Sequence, residues 1–130
     1  MKFEDLNPDQ IPTTPLIDAN LLILFERVKL VEANWVYAGH TEFICTSGLR
    51  SAGHQLSLIA QGLSNATKSR HLTGRACDVS DKDGHIKKWL KENPNVLPVA
   101  CLWCEDANHT PTWVHFQTVA PGSGKRWFIP

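Results

Sequence analysis

Two short segments carry the side chains best suited to chemistry. One is Ser69-Arg70-His71-Leu72-Thr73-Gly74-Arg75-Ala76-Cys77-Asp78; the other is Trp113-Val114-His115-Phe116-Gln117. Two imidazoles and one carboxylate, His71, His115 and Asp78, are donor types that a borderline-soft cation such as Zn²⁺ takes. His71 and Asp78 are too far apart in sequence to share a helix face, but a turn at Gly74 brings both to one point. If the second segment is a strand, Trp113, His115 and Gln117 share one face, and Val114 and Phe116 point to the core. Three protein ligands leave a fourth position for water, which separates a catalytic zinc site from a closed structural one. Water bound there has a pKa near ~7 and becomes a usable nucleophile. By type and spacing alone, histidines in a chain that has six also fit exposed surface or hydrogen-bonded core positions.

The pattern Ser-x-His-x-x-Gly-x-Ala-x-Asp over 69–78 resembles the signature of the zinc D-alanyl-D-alanine carboxypeptidases and the related phage L-alanyl-D-glutamate endopeptidases, the hedgehog-like metallopeptidases. All its specified positions, Ser69, His71, Gly74, Ala76 and Asp78, are present. Trp113-Val114-His115-Phe116 resembles that family's closing strand. Thr46-Ser47-Gly48-Leu49-Arg50-Ser51 resembles its Ser-Gly-Tyr-Arg-Ser turn, with Leu49 in place of tyrosine. The likeness spans roughly residues 20–129. It implies a zinc ion held by His71, Asp78 and His115, and a peptide bond of peptidoglycan as substrate. It also implies an arginine, Arg50, near the scissile carbonyl, where a guanidinium steadies a developing oxyanion; the bland alternative for Arg50 is a structural pair with a carboxylate. Ser69 matches the motif serine and either caps its loop or contacts substrate, and Trp113 is a further candidate substrate contact.

One position departs from the family pattern. Many relatives carry a carboxylate three residues before the last histidine, where it takes a proton from the metal-bound water. Here that residue is Thr112, which cannot be the base. The remaining candidates lie upstream: Glu105, Asp106 and His109, the last an imidazole, a side-chain type that often serves as a general base. The enzyme reading, a small phage or prophage lysis or tail peptidase, therefore stands beside a second one. That second reading is a catalytically silent, zinc-containing module that grips cell-wall peptide or another virion protein. A purely structural zinc domain fits less well, because such sites are usually closed by four side chains.

These groups need a scaffold. A single domain over 1–130 is expected, with 1–14 as an extended lead-in broken by Pro8 and Pro12. Thr14-Pro15 has the form of a helix start, and Leu21, Leu24, Phe25, Val28, Val31 and Trp35 follow at helical spacing. A strand over 42–46, a helix from Ser51 to Gly62, a polar loop to Lys68 and a strand over 75–79 come next. Asp83 is positioned to cap a helix that ends before Asn93-Pro94. Strand-like runs occupy 98–103, 112–119 and 126–129. Helices followed by clustered strands predict an α+β fold, with helices packed on a small antiparallel sheet.

Composition narrows the partners. The 13 basic and 13 acidic residues balance, so the basic stripe of a nucleic-acid binder is missing. The pairs Lys87-Lys88 and Lys125-Arg126 read as solvated surface. The polar start Met1-Lys2-Phe3-Glu4-Asp5 is not a signal peptide, and no apolar run approaches membrane-span length. These features predict a monomer made in the cytoplasm, which reaches the wall on release or in a virion. Of the four cysteines, Cys101 and Cys104 form an isolated CxxC on an expected strand. Residues three apart on a strand face opposite ways, so a shared metal or redox role is disfavoured.

Overall fold

The computed structural model describes residues 1–64 and 68–130. Helix α1, Pro15–Tyr37, starts where Thr14 Oγ1 accepts from the Ile17 amide and Pro15 fills the first helical position. Leu21, Leu24, Val28, Val31 and Trp35 of α1 enter the core. Strand β1, Cys45–Ser47, is followed by α2, Ala52–Ala60, capped by Ser51 Oγ on the His54 amide. Strand β2, Ala76–Ser80, and helices α3, His85–Glu92, and α4, Val96–Ala100, follow. The chain closes with β3, Trp103–Glu105, β4, Trp113–Gln117, and β5, Trp127–Phe128.

The fold is α+β, with five strands in the order β1-β2-β4-β3-β5. Pairing is antiparallel except at the edge, where β5 runs parallel to β3, so the sheet is mixed rather than wholly antiparallel. Alternation divides the sheet's faces. Cys77, Val79, Cys104, Val114 and Phe116 pack with α1 into the core cluster. Asp78 lies opposite His115 in the β2–β4 register, and Ala76 opposite Gln117, on the other face.

Several expectations from the sequence are revised. The lead-in is not merely extended: Phe3–Leu6 form a 3₁₀ turn, Leu6 is fully buried, and its carbonyl accepts from the Leu49 amide at 2.8 Å. The run 98–103 is not a strand. Leu97 and Ala100 share a buried helical face, Pro98 sits in a first turn that needs no amide donor, and the sheet is joined only at Trp103. Cys101 therefore sits exposed at a helix end with φ 54°, while Cys104 is buried in β3, and the CxxC forms no pair. Asp83 does not cap α3. Gly84 occupies that position with φ 72°, and the Asp81 carboxylate instead accepts from the Ile86 and Lys87 amides at 2.9 and 3.1 Å.

Lys87 is not solvated either. It is buried and donates to the Thr110 and Trp113 carbonyls, tying the approach to β4 onto α3. The strand expected at 42–46 forms instead at Cys45–Ser47, those at 112–119 and 126–129 shorten to β4 and β5, and part of the polar loop expected over 62–68 lies outside the described residues. No helix among the described residues is long and apolar enough to cross a membrane.

Candidate metal centre

Ser69 is the N-cap of a 3₁₀ turn over Arg70–Thr73, its hydroxyl accepting from the His71 amide at 3.3 Å. Gly74 ends that turn with φ 72°, a left-handed conformation that glycine adopts without steric cost. The chain then enters β2, so Asp78 points back toward His71. Strand β4 delivers His115 by direct pairing with Asp78. The three side chains are buried, with relative exposures of 2, 7 and 6 % for His71, Asp78 and His115. One potential ligand atom from each lies within 4.8 Å of the others. Asp78 Oδ1 is 3.4 Å from His71 Nε2 and 3.0 Å from His115 Nδ1.

The surrounding hydrogen bonds decide which ring nitrogens carry protons. His71 Nδ1 lies 2.8 Å from the Gly48 carbonyl, which can only accept, so Nδ1 is the donor. His115 Nε2 lies 3.0 Å from Gln117 Oε1, and the Gln117 amide is fixed because its Nε2 donates to the Val119 carbonyl at 2.7 Å. His115 therefore donates through Nε2. In the neutral rings, His71 Nε2 and His115 Nδ1 then aim lone pairs at a carboxylate oxygen. Three acceptors facing one another in a buried site need a positive charge among them. Two nitrogens and one carboxylate oxygen, each histidine oriented from behind by a fixed acceptor, fit a zinc ion.

Burial and neighbouring charge shift all three groups. Burial pushes the His71 pKa down, despite Asp78 beside it. Burial would raise the Asp78 pKa, yet the two imidazoles hold the carboxyl well below the usual carboxylate range. Burial would likewise lower His115, but its hydrogen bond to Asp78 and the nearby charge raise it. The centre favours an ionised Asp78 carboxylate with positive charge beside it, from a protonated His115 or from a bound cation.

Arg50 donates through Nη2 to Asp78 Oδ2 at 3.1 Å, through Nη1 to Gln55 Oε1 at 3.1 Å and through Nε to Ser47 Oγ at 3.2 Å. It is the clamp on the second oxygen of the Asp78 carboxylate, the structural pairing allowed for it in the sequence. Gln55 is the buried residue of α2, and with it that helix supports the clamp.

The three candidate bases separate. Extending the β3–β4 register by one pair sets Glu105 opposite His115. Glu105 Oε1 is 3.8 Å from His115 Nε2, and its side chain is 22 % exposed. Asp106 instead accepts from the Asn108 amide in its own turn, and His109 is an exposed neighbour 3.9 Å from Asp106. Neither contacts the His-Asp-His cluster. Thr112 is exposed. Trp113 is half-buried at the start of β4, on the His115 face.

Gly48, Gln55 and Gln117 were not singled out as site residues from sequence. Two left a signal there: Gly48 by its place in the Thr46–Ser51 turn, and Gln117 by its two-residue spacing from His115. A cleft of about 410 Å³ between residues 8–11, the Thr46–Ser51 turn and α2 touches the centre through Ser47 and Arg50. A second cleft, about 400 Å³, lies along the lead-in and Leu21, away from the cluster.

Neither protein-family models nor curated proteins give a match to this chain. Among solved structures it is similar to the L-Ala D-Glu endopeptidase ChiX of Serratia marcescens. The identity is 21 % and the TM-score 0.56, over 92 % of this chain and 98 % of that one. The chain thus shares its α+β fold with a peptidase of nearly the same length.

Proposed function

We propose that the chain is a zinc-dependent peptidase acting on the peptide of bacterial peptidoglycan, with an L-Ala–D-Glu bond as the foremost substrate. One observation carries this reading: His71, Asp78 and His115 each turn one potential ligand atom toward one point while Gly48 and Gln117 hold the far side of each imidazole. The fold shared with an L-Ala D-Glu endopeptidase supports it and favours endopeptidase over carboxypeptidase action.

A zinc ion bound there supplies a Lewis acid and lowers the pKa of water toward ~7. The chain supplies the rest. Arg50 keeps the Asp78 carboxylate from rotating. Glu105, the one of the three candidates that approaches the cluster, lies 3.8 Å from His115 Nε2 on the outer edge of that ring, and by swinging over the ring it would accept the proton of the attacking water and return it to the leaving amine. Trp113 offers an apolar contact for the substrate on the same face. Ser69, whose hydroxyl caps the His71 amide, orients the ligand loop. The setting that fits is a phage- or prophage-borne monomer, made in the cytoplasm and reaching the wall on release or in a virion.

The competing reading, a silent binding module, is favoured by one observation: Thr112 stands where relatives often carry the base. Incubating the zinc-loaded protein with purified peptidoglycan and measuring newly freed amines separates the two. Amines released by wild type and not by Glu105→Gln support the peptidase. Zinc binding without release from either supports the module.

A further inference from the structure

The sheet face that carries the metal ligands continues past them, toward the β5 edge. In the β3–β4 register Trp103 lies opposite Gln117, and in the parallel β3–β5 register Phe128 lies beside Glu105. Side chains confirm the facing: Phe128 meets the His115 ring edge-on at 6.4 Å between centroids. The Arg126 guanidinium lies over the Trp103 ring at 4.4 Å. Beyond the candidate metal site, then, is a floor of Phe128 and Trp103 with a cation at its end.

That cation is unlike a solvated surface charge. Arg126 is half-buried, its plane rests on an indole, and Nη1 donates to the Leu102 carbonyl at 2.9 Å. These contacts fix the guanidinium before any ligand arrives, which removes much of the ordering cost of binding. Among the described residues Arg126 joins no ion pair. The other arginine at the site, Arg50, is committed to Asp78. An oriented, unneutralised guanidinium favours a planar anion, and a carboxylate matches its fork.

We infer that Arg126, held on Trp103, is the specificity residue that receives a carboxylate of the substrate peptide as the chain crosses from β4 over β3 to β5. Two strand spacings put that carboxylate roughly 10 Å from the metal ligands, within about three extended residues of the cleaved bond. This rests on the peptidase reading and adds the charge selectivity of the β5 side of the site.

The test uses the zinc-loaded wild-type protein and an uncleavable probe, L-Ala–D-Glu–L-Ala with the first peptide bond reduced to CH₂–NH. Its affinity is measured by calorimetry with both carboxylates free and with both amidated. Wild type should prefer the acid form by about tenfold, the size expected of one charged hydrogen-bonded contact. Arg126→Ala should lose that preference while leaving the amidated form's affinity unchanged, and Arg126→Lys should keep part of it. Equal weakening of both forms in Arg126→Ala would mean that the residue only supports the fold. An unchanged acid preference would also overturn the inference. If wild type binds neither form, the peptide-cleaving reading fails first and takes this inference with it. Binding of both forms without discrimination overturns the Arg126 assignment alone.

Discussion

The Gly48 carbonyl accepts from His71 Nδ1 at 2.8 Å, and the same glycine has no room for a side chain, because a Cβ there would come within 2.3 Å of the Leu6 carbonyl oxygen. The lead-in thereby presses on the residue that fixes a ligand's tautomer. Leu6 is fully buried, and its carbonyl is already bonded to the Leu49 amide, so the backbone has little room to yield.

Gly48→Ala should therefore cost more than an exposed glycine-to-alanine change. Separating the lead-in from the turn costs about 1–3 kcal/mol, as for other overpacked sites. Displacing the carbonyl behind His71 should weaken zinc affinity by about 10–100-fold. Thermal melting with and without metal, together with a zinc competition titration, measures both. An unchanged zinc affinity would detach Gly48 from the metal centre.

Removing a ligand should remove the metal. His71→Ala and His115→Ala should each lose most of the zinc by elemental analysis of dialysed protein, with one zinc per chain in the wild type. Full retention in both variants would sink the metal assignment.

Gln117→Leu tests the acceptor behind His115. The substitution leaves the Nε2 proton without its partner in a buried site and releases the ring to change tautomer. Zinc affinity should fall by about 10–100-fold, with the fold retained by circular dichroism. Affinity equal to wild type would show that the β4 backbone alone orients the ring.

Glu105→Gln should retain zinc and lower the rate of peptidoglycan hydrolysis by about 10²–10⁴-fold, the usual contribution of a general base. Asp106→Asn and His109→Ala should remain within a few-fold of wild type, since neither side chain contacts the cluster. A reversed ranking in amine-release assays would move the base out of β3 and into the following turn.

Arg50→Ala removes the clamp on Asp78 Oδ2 and one donor to Gln55 Oε1. Its first effect should be on metal retention and stability, with a loss of about 3–5 kcal/mol, as when one partner of a buried ion pair is deleted. A variant with wild-type melting and zinc content but slow turnover would return Arg50 to the role of oxyanion donor.

Much of the scaffold is legible in the order of residues. Thr14-Pro15 and the apolar spacing from Leu21 to Trp35 specify α1 locally, through one cap and one repeating face. Alternation over 113–117 specifies β4 and the opposite facing of His115 and Phe116. The short motif around Gly74 identifies His71 and Asp78, because a tight turn and a strand leave distinct local signatures.

Other features are long-range and have no local signature. The run 98–103 is apolar enough for a strand, yet its first residues join the helix Val96–Ala100, packed against α1. Lys87 reads as surface until the carbonyls of Thr110 and Trp113 enclose it. Glu105, Asp106 and His109 are equivalent in sequence; the β3–β4 register alone puts the first beside His115. The sequence by itself determined which residue types are available to hold a cation. Tertiary structure decided which nitrogen of each histidine faces it, because that depends on the distant acceptors Gly48 and Gln117.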